Sequence, residues 1–555
     1  MRMRLAAIAL LASCAVQAAP LDVAWWQDGA TKVVQLRDAG RALPAFDGSR
    51  PVPLGSLWKL FVFTYAVDTD TAMPDYPCRG REPEEVYCCT PGNSIARDAA
   101  LAQSCGLFFA PQRLMLSNDA WRRYWTRRLG RPVTGDFAWL ADPAQLTPER
   151  TVRLDSLLRA LASVPEAART EAAGALLRVV LDGRAAGTAR WLGSALRIKT
   201  YSWFADAKKG ERLGGGAGWL ADGTPVWFGG QGTSSTILQQ WAPRLAAALP
   251  GVPPAQDSGC VLVDYFARYP IRSVRSATGP ATPGPLVGSF QVRFDNGQSL
   301  ALRSNGELVL GAGKPQLRGR LGVNEYVARV IDREASAAEP EAAKALAVAA
   351  RTYLQQNGRR EGACQRIADS SSAQRVSPNP ATPAALAIAG WTDQLILDGV
   401  QVRYHSTRSA DNTLSWSAAV QQARQGKRYD EVLAFAFPGA ALASIGNLGA
   451  PCRRLPQNEA WLARALPRWA RVLQREPGYE TPAQQPAVCE LDGGAPYSEQ
   501  ARNRIFMRPL AAREDRITLA HEFLHLGLRN HPRGQDEIFV EQLARRLVDV
   551  PLESL

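Results

Sequence analysis

The sequence predicts a multidomain α+β protein, and three observations carry that reading. At 555 residues the chain is long enough for three or four units, each with its own core. From 261 to about 310, apolar and polar residues alternate with the period of two that marks a half-buried strand. Residues 340–354, PEAAKALAVAARTYL, and the last stretch of the chain instead carry the spacing of helices. The expected units are a leader over 1–18, a mixed α/β unit over 19–250 and an α+β unit over 260–435. A proline-rich connection over 436–510 follows, and then a mainly helical segment over 511–555.

The leader, MRMRLAAIALLASCAVQA, has a charged start, an apolar stretch and small residues at Val16 and Ala18, as a secretory signal cut after Ala18 requires. Leu11-Ala12-Ser13-Cys14 also resembles the lipobox of bacterial lipoproteins, and that alternative makes Cys14 a lipid anchor. No later segment reaches the roughly 18–20 consecutive apolar residues of a membrane helix. Of nine cysteines, all but Cys14 follow the leader. In an exported chain they read as disulfides: Cys452 with Cys489, and pairing among Cys78, Cys88, Cys89 and Cys105, with the connectivity left open. The net charge of +13 is dispersed, without a basic tail or helix, which argues against nucleic acid as a partner. An anionic envelope polymer suits it better; solubility alone would also account for it.

In the first unit, Ser56 and Lys59 stand one helical turn apart, so a lysine deprotonated by burial could activate the serine. Any solvent-facing helix could supply the same pair. Ser104-Cys105-Gly106 and, further on, Lys199-Thr200-Tyr201 in an apolar strand-like segment follow in order. Together these resemble the penicillin-binding transpeptidases and class D β-lactamases. The resemblance implies Ser56 as nucleophile, Lys59 as base, Ser104 as proton relay, and Lys199 and Thr200 lining the oxyanion side. Residues 224–232, TPVWFGGQG, resemble the strand beside that lysine. Gly106 stands where the family has asparagine, and Tyr201 where it has glycine, so the tyrosine is expected to obstruct substrate backbone. An inert relative that only binds peptidoglycan stays open.

The proline- and glycine-rich residues 251–259 mark the next boundary. In the β-rich section after it, Asp295-Asn296-Gly297 and Ser304-Asn305-Gly306 read as hairpin turns. Glu334 closes one helical segment just before the alanine-rich helix, where partial burial would raise its pKa toward that of a general acid; a solvated helix end is the plainer alternative. With Asp369-Ser370-Ser371, Gln374 and Tyr404-His405-Ser406, the segment resembles SpoIID, a cell-wall domain whose relatives cleave glycan strands as lytic transglycosylases. The resemblance implies Glu334 as acid and base, with His405, Gln374 and Asp369 facing substrate. Asp332, two residues from Glu334, would point elsewhere on a helix. No zinc is expected here, since only His405 and Cys364 are at hand.

Residues 521–531, HEFLHLGLRNH, hold three of the four histidines. On a helix His521 and His525 fall on one face, able to reach one zinc ion, with Glu522 toward the water bound to it. Gly527 offers a C-cap at which His531 turns back as third ligand, and Glu541, on a second helix from about Glu537, is the alternative. The segment resembles the elongated metzincin motif with its glycine one residue early. An amphipathic core helix is the plainer alternative.

The whole arrangement resembles an uncharacterised family of bacterial periplasmic proteins carrying domain of unknown function 2300. It implies an exported, periplasmic cell-wall protein of a Gram-negative bacterium, a lipoprotein if Cys14 is modified. Its partners would be glycan strands or stem peptides, or an envelope protein. Its chemistry would be lytic glycan cleavage together with a zinc peptidase or amidase. A non-catalytic envelope scaffold and a zinc peptidase acting on protein substrates are the alternatives.

Overall fold

The computed structural model describes residues 19–37, 46–92, 94–181, 187–204, 210–250, 259–371, 373–405, 412–445, 452–482, 485–491, 496–499, 503–528, 531–534 and 536–549. The leader with Cys14, the boundary at 251–258 and Ser406 lie outside them. No helix among the described residues is long and apolar enough to cross a membrane.

The first unit is an antiparallel five-stranded sheet in the order Ala30–Leu36, Leu21–Gln27, Pro225–Gln231, Arg212–Leu220, Leu196–Phe204. One face packs under the helix Ser234–Ala248, through Ile237, Leu238, Trp241 and Leu245 against Leu21, Ile198, Val226 and Phe228. On the other side a helical lobe surrounds Trp58–Asp68, whose sequence WKLFVFTYAVD is apolar nearly all round; such a helix is stable only inside a core. Phe61 meets Trp139 and Trp125 edge-on, at 4.9 and 5.6 Å between ring centres. Disulfides Cys78–Cys89 and Cys88–Cys105 fasten the loops above it.

The middle unit is built on an eight-stranded sheet. Its order is Gly279–Pro280, Ile271–Ser276, Gly284–Phe294, Ser299–Leu310, Leu317–Leu321, Val261–Tyr265, Cys364–Ala368, Arg359–Glu361. Val261–Tyr265 and Cys364–Ala368 run parallel, and disulfide Cys260–Cys364 joins them at one end. Helices Val323–Glu334, Pro340–Asn357 and Pro383–Trp391 cover one face of the sheet. The alanine-rich helix is buried along most of its length, because small side chains let neighbours approach it from several sides.

Of the two expected hairpin turns, residues 295–297 make one, with Gly297 at φ +84°. Residues 304–306 do not. They lie inside the strand Ser299–Leu310, where the pairing jumps from Leu286↔Leu308 to Val287↔Asn305, so Gly306, at φ +106°, serves a bulge. The carboxylate of Glu307 accepts from Asn305 N at 2.7 Å and from buried Arg329 at 2.7 Å, which holds the irregularity in place.

A three-stranded sheet, Leu395–Asp398, Ala441–Ser444, Val179–Val180, takes its edge strand from the first region. Arg178 to Asp398 and Arg190 to Asp430, both at 2.7 Å, reinforce that junction.

The stretch after 436, read from its prolines as a connection, supplies secondary structure. Pro456 opens the 18-residue helix Pro456–Leu473, a position where the missing N–H costs nothing. Strands Ala487–Glu490, Arg504–Met507 and Tyr497–Glu499 form a small sheet. Both join the helices Arg513–Gly527 and Glu537–Asp549 in one core. Disulfide Cys452–Cys489 closes this unit, as expected.

The Cys260–Cys364 bridge spans 104 residues, so by loop-closure entropy its removal should cost the middle unit about 4–5 kcal/mol. Urea unfolding of the double variant Cys260→Ser, Cys364→Ser checks this. A midpoint equal to that of the parent protein would contradict it.

Candidate functional site

Three clusters of ionisable side chains are assembled by this fold. In the first, Ser56 sits in the one-turn 3-10 helix Gly55–Leu57 that leads into Trp58–Asp68. Lys59, one turn on, places its Nζ 3.1 Å from Ser56 Oγ and 3.1 Å from Ser104 Oγ. Burial lowers the Lys59 pKa to about 7, so the amine is neutral just above that pH and able to take the Ser56 proton. Ser104 reaches it from the left-handed cap of Arg97–Gln103, at φ +65°. Lys199, on the edge strand, is buried with its pKa far below normal, first by burial and then by the charge of Lys59; its Nζ donates to Thr200 O at 3.1 Å. Ser56, Lys59 and Ser104 thus form one hydrogen-bonded group, with Lys199 near enough to feel the charge of Lys59, whereas Thr200 takes part only through its carbonyl, its side chain alternating to the other face of the sheet with Ile198 and Ser202.

Tyr201 is 3% exposed and faces inward. A Cβ at Gly55 would lie 2.8 Å from its Cβ, and one at Gly229 2.7 Å from its hydroxyl. The ring is therefore wedged between the turn carrying Ser56 and the strand Pro225–Gln231, two places away in the sheet. At Gly106 a Cβ would meet Lys59 Cε at 3.6 Å, ordinary contact, so the space beside the lysine is uncrowded there.

The second cluster centres on Glu334, the last residue of Val323–Glu334. Its carboxylate accepts from Arg375 N at 2.5 Å, yet burial outweighs that bond and raises its pKa to about 7. Asp369, also raised by burial, accepts from Val376 N at 3.0 Å. Gln374, expected at the substrate, is fully buried instead. Its Nε2 donates to Ala350 O at 3.1 Å and Tyr404 Oη at 2.9 Å, and its Oε1 accepts from the Tyr326 hydroxyl. With its amide engaged on both sides, it positions the two tyrosines. Tyr326, Tyr353 and Tyr404 wall the carboxyl and are held neutral, by burial first and then in part by its charge. Asp332 turns away and caps Pro383–Trp391, accepting from Thr382 N at 2.7 Å and its hydroxyl at 2.8 Å. The backbone of His405 pairs with Ser415; its side chain lies outside the described residues. Cys364, being disulfide-bonded, offers no thiolate.

The third cluster brings His521, His525 and Glu537 together, one ligand atom from each within 4.8 Å of the others. The two Nε2 atoms are 3.1 Å apart, and Glu537 Oε2 is 3.1 Å from His521 Nε2. The far side of each ring is fixed: His521 Nδ1 lies 3.0 Å from Glu541 Oε2 and His525 Nδ1 3.3 Å from Gly534 O. Such outer partners orient imidazole ligands, so Glu541 supports the cluster rather than joining it. His531 stands apart. Its Nδ1 accepts from Arg533 N at 2.9 Å, and its ring stacks on Phe539 at 4.9 Å. Glu537 takes the place expected for His531, because the second helix begins at that residue and aims its first turn at the histidines. Gly527 ends the helix without a positive φ; it is small because Tyr479 would lie 2.8 Å from a Cβ.

Glu522 is buried and its Oε2 has no partner among the described residues. Burial raises its pKa to about 8, with Arg403 and Ser498 lowering it less, while burial pushes both imidazoles down and keeps them neutral, as ligands must be. Two imidazoles and one carboxylate, held by fixed outer partners, form a donor set that could coordinate a metal ion, so the residues fit one. Arg403, from the middle unit, contacts Glu537 and was not singled out in the sequence.

Comparison with known proteins places the chain in a family. The model described as "Predicted secreted protein (DUF2300)" matches residues 80–210 and 412–533, and that of "Stage II sporulation protein" (SpoIID) matches 313–425. The uncharacterized protein YfaQ of Escherichia coli (strain K12) is 47% identical over 523 residues, 93% of each chain. Among solved structures, the class D β-lactamase of Sebaldella termitidis is 8% identical over 42% of this chain and 89% of its own, with a TM-score of 0.27. The transpeptidase domain of FtsI4 from Legionella pneumophila is 15% identical over 41% and 86%, with a TM-score of 0.25. These structural likenesses are weak.

If Lys59 is the base, labelling of Ser56 by a fluorescent penicillin should rise with pH through about 7, as the amine loses its proton. Ser56→Ala should abolish the labelling and Lys59→Met should reduce it by roughly a hundredfold or more. Labelling that ignores pH, or survives Ser56→Ala, would remove that assignment.

Proposed function

We propose, from the premise that this chain belongs to the DUF2300 family of secreted proteins represented by YfaQ, that it is an exported peptidoglycan-processing enzyme of the periplasm. The observation that carries the reading is Glu334: a half-buried carboxyl in the SpoIID-matching segment, its pKa raised by desolvation to about 7, well into the range of a general acid, beside three tyrosines.

A lytic transglycosylase needs one such group. Protonated Glu334 donates to the glycosidic oxygen as the bond to C1 breaks. The resulting carboxylate takes the proton from the sugar's own C6 hydroxyl, whose oxygen closes on C1 to give a 1,6-anhydro end. No water is consumed and no second nucleophile is required, unlike hydrolysis by paired carboxylates. Arg375 N stabilises the carboxylate between the two proton transfers. Gln374 holds Tyr326 and Tyr404 along the same wall.

The C-terminal cluster supports a second activity on peptide or amide bonds. His521, His525 and Glu537 are the residues that would hold zinc. A zinc ion held by them would supply a Lewis acid for a carbonyl and a water of lowered pKa. Glu541 and Gly534 O keep the imidazoles oriented, and Glu522, whose Oε2 has no partner among the described residues, would take up and return a proton at that atom once a nearby dication lowered its pKa from about 8. A binding role for stem peptides in the first unit is favoured by Tyr201, whose ring fills the space against Gly55 that a glycine would leave open.

Incubated with purified peptidoglycan, the mature protein should release fragments with 1,6-anhydro ends, and Glu334→Gln should lower that rate by about a hundredfold or more. Because the acid form is required, the rate should fall as pH rises through about 7. Products with reducing ends would replace lytic cleavage with hydrolysis.

Purified without chelator, the protein should carry about one zinc per chain. Elemental analysis should show the metal lost in a His521→Ala, His525→Ala variant, weakened in Glu537→Gln and retained in His531→Ala. Retention by the first and loss by the last would restore His531 as the ligand.

A further inference from the structure

One cation reaches the metal cluster from outside the helical unit that forms it. Arg403 lies on the short strand Arg403–His405 of the middle unit, beside Val402, which is buried, and Tyr404, which bonds Gln374. Its guanidinium contacts Glu537 Oε1, the same oxygen that stands 3.3 Å from His525 Nε2. Its charge also acts on Glu522, His521 and His525. The side chain is 28% exposed, so the guanidinium can be approached, while its Nε is buried without a hydrogen-bond partner among the described residues.

A guanidinium presents a planar fork of donors that matches a carboxylate on two atoms. Contact through one end with Glu537, with Nε unsatisfied, uses that fork incompletely. Glu537 also cannot serve two cations equally. When its oxygens donate to a metal, less of its charge is left for Arg403, and a guanidinium next to a dication is repelled unless an anion joins them. The group that satisfies both is a carboxylate on the substrate.

We propose that Arg403 is the carboxylate anchor of the metal site: Glu537 holds it while no metal is bound, and metal ligation by Glu537 frees it for a free carboxylate on a wall peptide. This rests on the reading of His521, His525 and Glu537 as a metal site, and it narrows the substrate to anionic peptides. Arg403 is a specificity residue delivered by the glycan-cleaving unit, so the metal site is complete only when the two units are docked.

The test is calorimetric titration of the full mature chain, zinc-loaded and chelator-stripped, with N-acetyl-D-alanine and its neutral amide. Parent, Arg403→Gln and Arg403→Lys proteins are compared after their zinc stoichiometries are measured. The zinc-loaded parent should bind the acid about tenfold or more tighter than zinc-loaded Arg403→Gln, the scale of a charge-assisted paired contact. Arg403→Lys should keep part of that advantage, the amide should not distinguish the proteins, and the advantage should disappear without zinc. Equal binding of the acid by zinc-loaded parent and Arg403→Gln overturns the anchor and leaves the metal site standing. Loss of zinc from both Arg403 variants also overturns it, making Arg403 a structural part of the site. A parent protein that takes up no zinc overturns both the anchor and the metal reading.

Discussion

Desolvation of ionisable side chains is the constraint on which every candidate centre here depends. A charged group moved from water into a core loses solvation that its neighbours must replace, or else it takes its neutral form. Lys59 lies within the helix Trp58–Asp68, whose apolar surroundings cannot support an ammonium, and so becomes a base. Glu334 ends its helix against three tyrosines and keeps a proton near neutrality. The imidazoles of His521 and His525 are kept neutral and therefore free to bind metal. The same physical effect thus yields a base, an acid and a pair of ligands, according to which side chain is buried.

The strand Arg403–His405 connects two of these centres. Successive residues on a strand point to opposite faces, and here Tyr404 bonds Gln374 in the Glu334 cluster while Arg403 contacts Glu537 in the metal cluster. Tyr353 meets the Tyr404 ring edge-on and feels the charges of both Arg403 and Glu334, so it is shared by the two clusters. The wall enzyme inferred here is therefore not three independent modules in a row. Even the first region lends a strand, Val179–Val180, to the separate three-stranded sheet that contains Leu395–Asp398.

Local motifs were legible in the sequence, and long-range partners were not. The offsets Ser56 to Lys59 and His521 to His525 are set by one helical turn, so the sequence alone shows that they can meet. Glu334 was legible through its place at a helix end before an alanine-rich helix. Glu537 and Arg403 were not, because a glutamate twelve residues after His525 and an arginine in another unit become neighbours only through helix packing and docking. Gln374 was found, but as a substrate contact; nothing in its local sequence reveals that three partners far along the chain would occupy its amide. Residues 304–306 have the composition of a turn, and their bulge is decided by pairing with the strand Gly284–Phe294. Proline content likewise misrepresented residues 456–473, where Pro456 starts a helix and Pro467 is accommodated inside it.

The central claim is that Glu334 holds a proton at neutral pH. Infrared difference spectroscopy of the full chain, parent minus Glu334→Gln, read in the carboxylic-acid carbonyl region between about pH 5 and about pH 9, measures that proton directly. The account expects a protonated-carboxyl band that disappears with a midpoint near 7. A band already gone at about pH 5, with a midpoint close to the ordinary glutamate value, would show a solvated carboxylate and contradict it.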